Sequence, residues 1–287
     1  MILKGGTIKL KQVLLLFLIT VGDQEFILAD LADQIAAPTV YRMEQGFEVD
    51  TGLWSDSSTG WFGTVARVAS GTDGVPSAEG DFHAVIDGDA TAPFNTLLNQ
   101  CAVPFEEYTV SIDIYLDPKG DGGSGWADGE GFDYSVSTNQ ADDSTFYADY
   151  IFHVTQDTSS QGMYLGASNN TNFAPREDLD ALAKNAVITN DGWYTFEHRF
   201  YEDTDGELSV DMNVFDADGS LVFTETKSDT RDGSGIDDSV SNINGEARYA
   251  WFTEIGVDGG IPADNLRVAY EADQSVPLPT ADDIFFV

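Results

Sequence analysis

From about residue 41 onward, apolar and polar positions alternate with a period of two. That is the spacing of strands with one buried face, not of helices. In 108–116, Tyr108, Val110, Ile112, Ile114 and Leu116 share one face, while Thr109, Ser111, Asp113 and Tyr115 share the other. Comparable runs recur at 64–69, 82–86, 132–137, 147–154, 193–201, 208–215, 221–226, 247–253 and 266–270, separated by clusters of Gly, Asp, Asn and Ser. Those clusters are turn chemistry. Asp216-Ala217-Asp218-Gly219 lies between alternating runs, and Asp203-Thr204-Asp205-Gly206 precedes the first of them. Asp-Gly supplies the positive φ of a tight hairpin, so three strands over 193–226 are expected to form a meander. Pro175, acids at 177 and 178, and Leu179 and Leu182 at i, i+3 predict one short helix. About ten to twelve short strands and one minor helix predict an all-β fold, a two-sheet antiparallel jelly-roll sandwich.

Residues 1–40 follow a different pattern. Lys4, Lys9 and Lys11 precede an apolar run from Val13 to Val21, interrupted only by Thr20. A basic flank before about nine apolar residues is the layout of an export signal, and the run falls short of the roughly 20 residues that span a bilayer. No Ala-x-Ala cleavage site follows, and an apolar strand or helix of the domain is the competing reading. The expected organisation is an export segment at 1–40, a sandwich at 41–272 and a C-terminal tail at 273–287, which places the protein outside the cell or on its surface without a stable membrane span.

Composition sharpens this picture. The 287 residues include 50 Asp+Glu against 13 Lys+Arg, a formal charge of −37. Nucleic-acid binding is disfavoured, because phosphate recognition needs clustered Lys and Arg. Hydrophobic residues at 42% supply a core, which excludes wholesale disorder. The single cysteine, Cys101, excludes an intrachain disulfide framework and a thiolate metal cage.

The segment Asp191-Gly192-Trp193-Tyr194-Thr195-Phe196-Glu197, with Gly206-Glu207-Leu208-Ser209-Val210 after a turn, resembles the Gly-Trp-aromatic strand and following hairpin of concanavalin A-like lectin/glucanase (laminin-G-like) sandwiches. Asp264-Asn265-Leu266-Arg267-Val268 is similar to the closing strand of many bacterial members. The resemblance implies the sandwich fold and leaves the activity open among lectins, adhesins, glycoside hydrolases, polysaccharide lyases and structural modules.

Several residues are candidates for chemistry. The stretch 117–133 holds four aspartates, one glutamate and six glycines. Calcium takes 6–8 oxygen ligands, so Asp117, Asp121, Asp128 and Glu130 are candidate ligands of a structural Ca²⁺, against the alternative of a solvated loop. The Asp-Gly pairs at 203–206 and 216–219 read as hairpin turns before calcium loops. Trp54, Trp61 and Trp126 lie in polar, loop-like stretches and are candidate stacking platforms for sugar rings. Trp193 and Trp251, in alternating strands, are expected to pack inward.

Glycoside hydrolysis needs two carboxylates about 5–9 Å apart, and the Glu-x-Asp-x-x-Glu run that the resemblance implies for retaining members is absent. Asp113 is a possible groove acid without a mate. A lyase needs a His or Tyr base and a neutraliser of the uronate carboxylate. His153, which shares a strand face with Asp149 and Ile151, is the candidate base, with Arg176, Arg199 and Tyr150 as helpers. The Arg-rich and Gln-x-His motifs of the alginate-lyase group are absent. His198 reads as a core histidine, and His83 has no supporting neighbours. The leading expectation is a non-catalytic, exported module that binds a polysaccharide or cell-surface glycan. The alternatives are an extracellular polysaccharide lyase or glycoside hydrolase, and a structural module of a surface layer or matrix.

Overall fold

The alternating runs become antiparallel strands in the computed structural model, which describes residues 39–52, 54–59, 62–88, 91–95, 102–118, 125–142, 145–157, 162–169, 179, 184–228, 239–253 and 255–271. In chain order they are β1 (Thr39–Gln45), β2 (Trp54–Ser55), β3 (Thr64–Ala69), β4 (Phe82–Asp87), β5 (Thr91–Asn95), β6 (Tyr108–Leu116), β7 (Gly131–Gln140), β8 (Phe146–Asp157), β9 (Gly162–Asn169), β10 (Ala186–Ile188), β11 (Gly192–Glu202), β12 (Leu208–Asp216), β13 (Leu221–Lys227), β14 (Ile243–Thr253) and β15 (Ile261–Glu271). Residues Thr39–Glu271 form one compact unit.

The strands assemble into two sheets. One runs β13-β12-β11-β6-β15-β4-β3, with β1 also pairing β15, and the other runs β10-β9-β8-β7-β14-β5-β2. This is the all-β, two-sheet antiparallel sandwich that the sequence predicts. Helical geometry among the described residues is confined to short 3-10 turns such as Thr72–Gly74. The helix expected near 175–182 lies outside the described residues, apart from Leu179, which is buried.

The meander β11-β12-β13 forms as its turns dictate. Asp203 Oδ1 accepts from the amides of Asp205 at 2.9 Å and Glu207 at 3.0 Å, with Gly206 at φ +84°. Asp216 Oδ1 does the same for Asp218 at 3.0 Å and Ser220 at 2.9 Å, with Gly219 at φ +76°. In each pair the leading carboxylate closes its own turn.

The core lies between the sheets. β6 shows the expected alternation in full, with Tyr108, Val110, Ile112, Ile114 and Leu116 buried. Rings from β11 meet rings from β8 edge-on: Phe152 and Phe196 at 5.2 Å, Tyr150 and Phe200 at 5.4 Å. His198 sits among them, its Nε2 paired with the Tyr150 carbonyl of the opposite sheet at 3.0 Å. Burial pushes its pKa down to about 3, so the ring stays neutral as a core group.

The two sheets differ on their outer faces. β6 and β11 alternate between buried and half-buried positions, whereas nearly every residue of β7 and β8 is buried on both faces. The outward side chains of β7 and β8 are largely polar, so a polar face here is withdrawn from solvent.

Candidate functional site

The register of the second sheet brings that polar face together. Asp133, Ser135 and Ser137 of β7 lie opposite His153, Ile151 and Asp149 of β8. On β9, Gly166 lies opposite His153 and Ser168 opposite Ile151. On β14, Tyr249, Trp251 and Thr253 lie opposite Ser137, Ser135 and Asp133. Because side chains alternate, all of these point away from the core that Tyr134, Val136, Phe152 and Phe252 fill.

Three hydrogen-bonded groups occupy the face. In the first, His153 Nδ1 lies 2.8 Å from Asp133 Oδ1, and His153 Nε2 lies 2.7 Å from Ser168 Oγ. A carboxylate only accepts, so Nδ1 carries the hydrogen, which leaves Nε2 to pair with the serine hydroxyl. Asp133 and His153 are 0% and 1% exposed. The second Asp133 oxygen has no hydrogen-bond partner among the described residues. Truncating one member of such a buried ion-pairable contact costs about 3–5 kcal/mol.

In the second group, Ser137 Oγ and Tyr249 Oη both donate to Asp149 Oδ1, the latter at 3.1 Å. Burial raises the Asp149 carboxyl above the usual carboxylate range, against the pull of those hydroxyls and of Arg248. Burial, with Asp149 adding to it, also holds the Tyr249 phenol protonated far past neutrality.

The third group depends on an irregularity. Ala247 pairs Thr138 and Tyr249 pairs Ser137, so β14 carries one extra residue, Arg248, at this step. The bulge turns Arg248 toward the polar face. Its Nη1 donates to Asn139 Oδ1 at 3.0 Å, and its guanidinium lies 5.7 Å from the Tyr249 ring centre. The buried Arg248 Nε has no hydrogen-bond partner among the described residues. Beside it Trp251, half-buried, meets Tyr249 edge-on at 5.7 Å.

The structure moves several expected site residues elsewhere. Trp54 is 6% exposed and packs against Phe47 and Phe252, and Trp126 is 8% exposed with its ring edge-on to Phe132 at 5.8 Å. Neither offers a ring face to a ligand. Their aromatic surface closes the core, which local polarity concealed. Trp61 lies outside the described residues. Trp193 and Trp251, expected inside, instead stand half-buried on the two outer faces, Trp193 donating its indole N–H to the Pro76 carbonyl at 2.8 Å.

Among the expected helpers of His153, Tyr150 is three residues away on the same strand and therefore points into the core. Arg199 belongs to the other sheet, paired with Glu107 at 3.1 Å and Asp211 at 3.7 Å. Asp113 is also on the other sheet, accepting from Thr195 Oγ1 at 2.6 Å and Asn265 Nδ2 at 2.8 Å. Arg176 lies outside the described residues.

Of the proposed calcium ligands, Glu130 spends both carboxylate oxygens on backbone amides, Ala127 and Asp258, the latter at 2.8 Å. Asp117 is half-buried, Asp128 is exposed, and Asp121 lies outside the described residues. Among the described residues, no three His, Cys, Asp or Glu side chains converge as a metal site would require. A cavity of about 380 Å³ between Val103–Phe105, Ala141, Val240 and Ile243 is lined mainly by apolar side chains, and no ionisable group lines it among the described residues.

The sequence reading singled out His153 and its place on one face with Asp149. It missed Asp133, Ser168, Arg248, Tyr249 and the outward direction of Trp251.

No protein-family model matches the chain, and no curated protein matches it. Among solved structures, it is similar to a marine alginate lyase from Aplysia kurodai (10% identity, 80% of this chain and 99% of that one, TM-score 0.41). It is also similar to an endo-β-1,4-glucuronan lyase from the fungus Trichoderma reesei (10% identity, 80% and 96%, TM-score 0.42). A third likeness is to a legume lectin-like domain from Entamoeba histolytica (10% identity, 74% and 88%, TM-score 0.37). With scores below 0.5, the fold rests on the chain's own two sheets. No helix among the described residues is long and apolar enough to cross a membrane.

Proposed function

We propose that the protein is an exported module that binds an extracellular or cell-surface polysaccharide on the outward face of the seven-stranded sheet, at its accessible part around the half-buried Arg248 and Trp251. The observation that carries this reading is the composition of that face on four adjacent strands. Hydroxyl, carboxylate, imidazole and guanidinium groups stand beside the rings of Trp251 and Tyr249. Sugars are held by such a mixture, an aromatic surface against the C–H face of the ring and directional polar groups for its hydroxyls. The orphaned Arg248 Nε and Asp133 Oδ2 are buried polar atoms that a bound hydroxyl or carboxylate group would satisfy. Calcium enters this reading as a structural ion of the 117–133 stretch, drawing on Asp117, Asp121 and Asp128 because Glu130 is already engaged.

The test is binding of the full chain to a panel of neutral and uronate polysaccharides, in calcium and in EDTA. Binding by the wild type is expected, with Trp251→Ala weakening it about 5- to 30-fold, in keeping with the loss of one stacking contact of about 1–2 kcal/mol. A folded wild type that retains none of the panel in either buffer sinks the proposal.

The bulge favours a second reading, a polysaccharide lyase. It sets a cation, Arg248, beside a protonated phenol, Tyr249, which is the pairing needed to neutralise a uronate carboxylate and protonate a leaving oxygen. Such a reaction creates an unsaturated uronate that absorbs in the ultraviolet, and incubation of the same polysaccharides with the wild type and Tyr249→Phe decides it.

A further inference from the structure

We propose that Asp133, His153 and Ser168 form an acyl-transfer site, with Ser168 as nucleophile toward carboxylic esters. The substrate class follows from the reading above and rests on it: acyl groups esterified to the hydroxyls of a bound glycan.

Connectivity carries the argument. A serine becomes a nucleophile when an imidazole accepts its proton through one nitrogen while a carboxylate fixes the other. Here Nε2 faces Ser168 Oγ at 2.7 Å and Nδ1 faces Asp133 Oδ1 at 2.8 Å. The three come from three adjacent strands. Asp133 is directly across from His153, and Ser168 lies two residues beyond Gly166 on β9, at the diagonal position a long side chain can reach. Gly166, directly opposite His153, brings no side chain against the imidazole on that side. The buried Asp133 holds the ring in the one orientation that serves both contacts.

The reaction balances without a cofactor. Ser168 Oγ attacks the ester carbonyl carbon, and its proton passes to His153 Nε2. The tetrahedral adduct expels the alcohol oxygen, which takes that proton and leaves as the free sugar hydroxyl. Water then attacks the acyl-serine, giving up a proton to Nε2. Collapse releases the carboxylic acid and returns the proton to Ser168.

The test uses the full chain and a fluorophosphonate probe, read by intact mass and peptide mapping. This probe needs no glycan, so its outcome is separate from that of the binding panel. One adduct on Ser168 is expected, absent in Ser168→Ala. In Asp133→Asn, which keeps the shape but alters the imidazole's hydrogen bonding, labelling slows on the order of 10²–10⁴-fold. Hydrolysis of p-nitrophenyl acetate follows the same order. A folded wild type that takes no adduct overturns the proposal, as does labelling undiminished in Ser168→Ala. Should that variant melt early, the wild-type map decides, and an adduct mapped to any other residue counts against it.

Discussion

Asp264 shows how a single carboxyl reports its surroundings. It is fully buried at a bulge of β15 beside Asp113 and accepts the amides of Ala78 at 3.1 Å, Glu79 at 3.3 Å and Asn265 at 2.9 Å. Burial, with the Asp113 charge adding to it, raises its pKa to about 6, against the pull of those amides. A folded-state value above the unfolded one means that folding favours the protonated form. This group's stabilisation is therefore present below about pH 4 and lost as pH rises through about 6. Acidification from pH 7 to 5 is expected to shift the Asp264 carboxyl resonance with a midpoint near 6. In Asp113→Asn that midpoint moves down, because a repelling charge is gone. An unmoved midpoint would remove Asp113 as a cause. Nothing in a linear sequence foretold this pair, since 113 and 264 meet only through the β6–β15 register.

At the level of strands, legibility followed side-chain contrast. β6, β11 and β12 alternate sharply and were readable. β9 was not, because Gly162, Gly166 and the Ser168-Asn169 end look like turn residues, although Met163, Leu165 and Ala167 alternate correctly beneath them. Ser168 was therefore invisible as a site residue while His153, on a bold strand, was not. Arg248 was hidden for another reason: a bulge reverses the parity by which faces are counted, and no residue type announces one. The same strand carries a tight constraint. A Cβ on Gly245 would lie 2.0 Å from the Pro104 carbonyl oxygen, a backbone atom with little freedom to retreat. Gly245→Ala is expected to destabilise the fold by about 1–3 kcal/mol, read as a lower urea midpoint at unchanged slope. A midpoint equal to wild type would mean that the 103–105 segment moves freely.

For the molecule as a whole, the sandwich was legible because two-sheet burial imposes period two over most of the chain. The candidate site was legible only in part, because it is assembled by register across four strands. The same registers fix when the fold can form. In the first sheet β15 lies between β6 and β4, and in the second β14 lies between β7 and β5. Each sheet thus has its late strand in the interior, so a nascent chain stopped near residue 240 holds two half-sheets with open, apolar flanks. Such a truncation is expected to show no cooperative melting transition, and a sharp one would contradict this order. On the ribosome, closure of both layers must wait until nearly the last residue of Ile261–Glu271 has emerged. A polypeptide that postpones its own folding in this way stays threadable through a narrow channel until that last strand has been made.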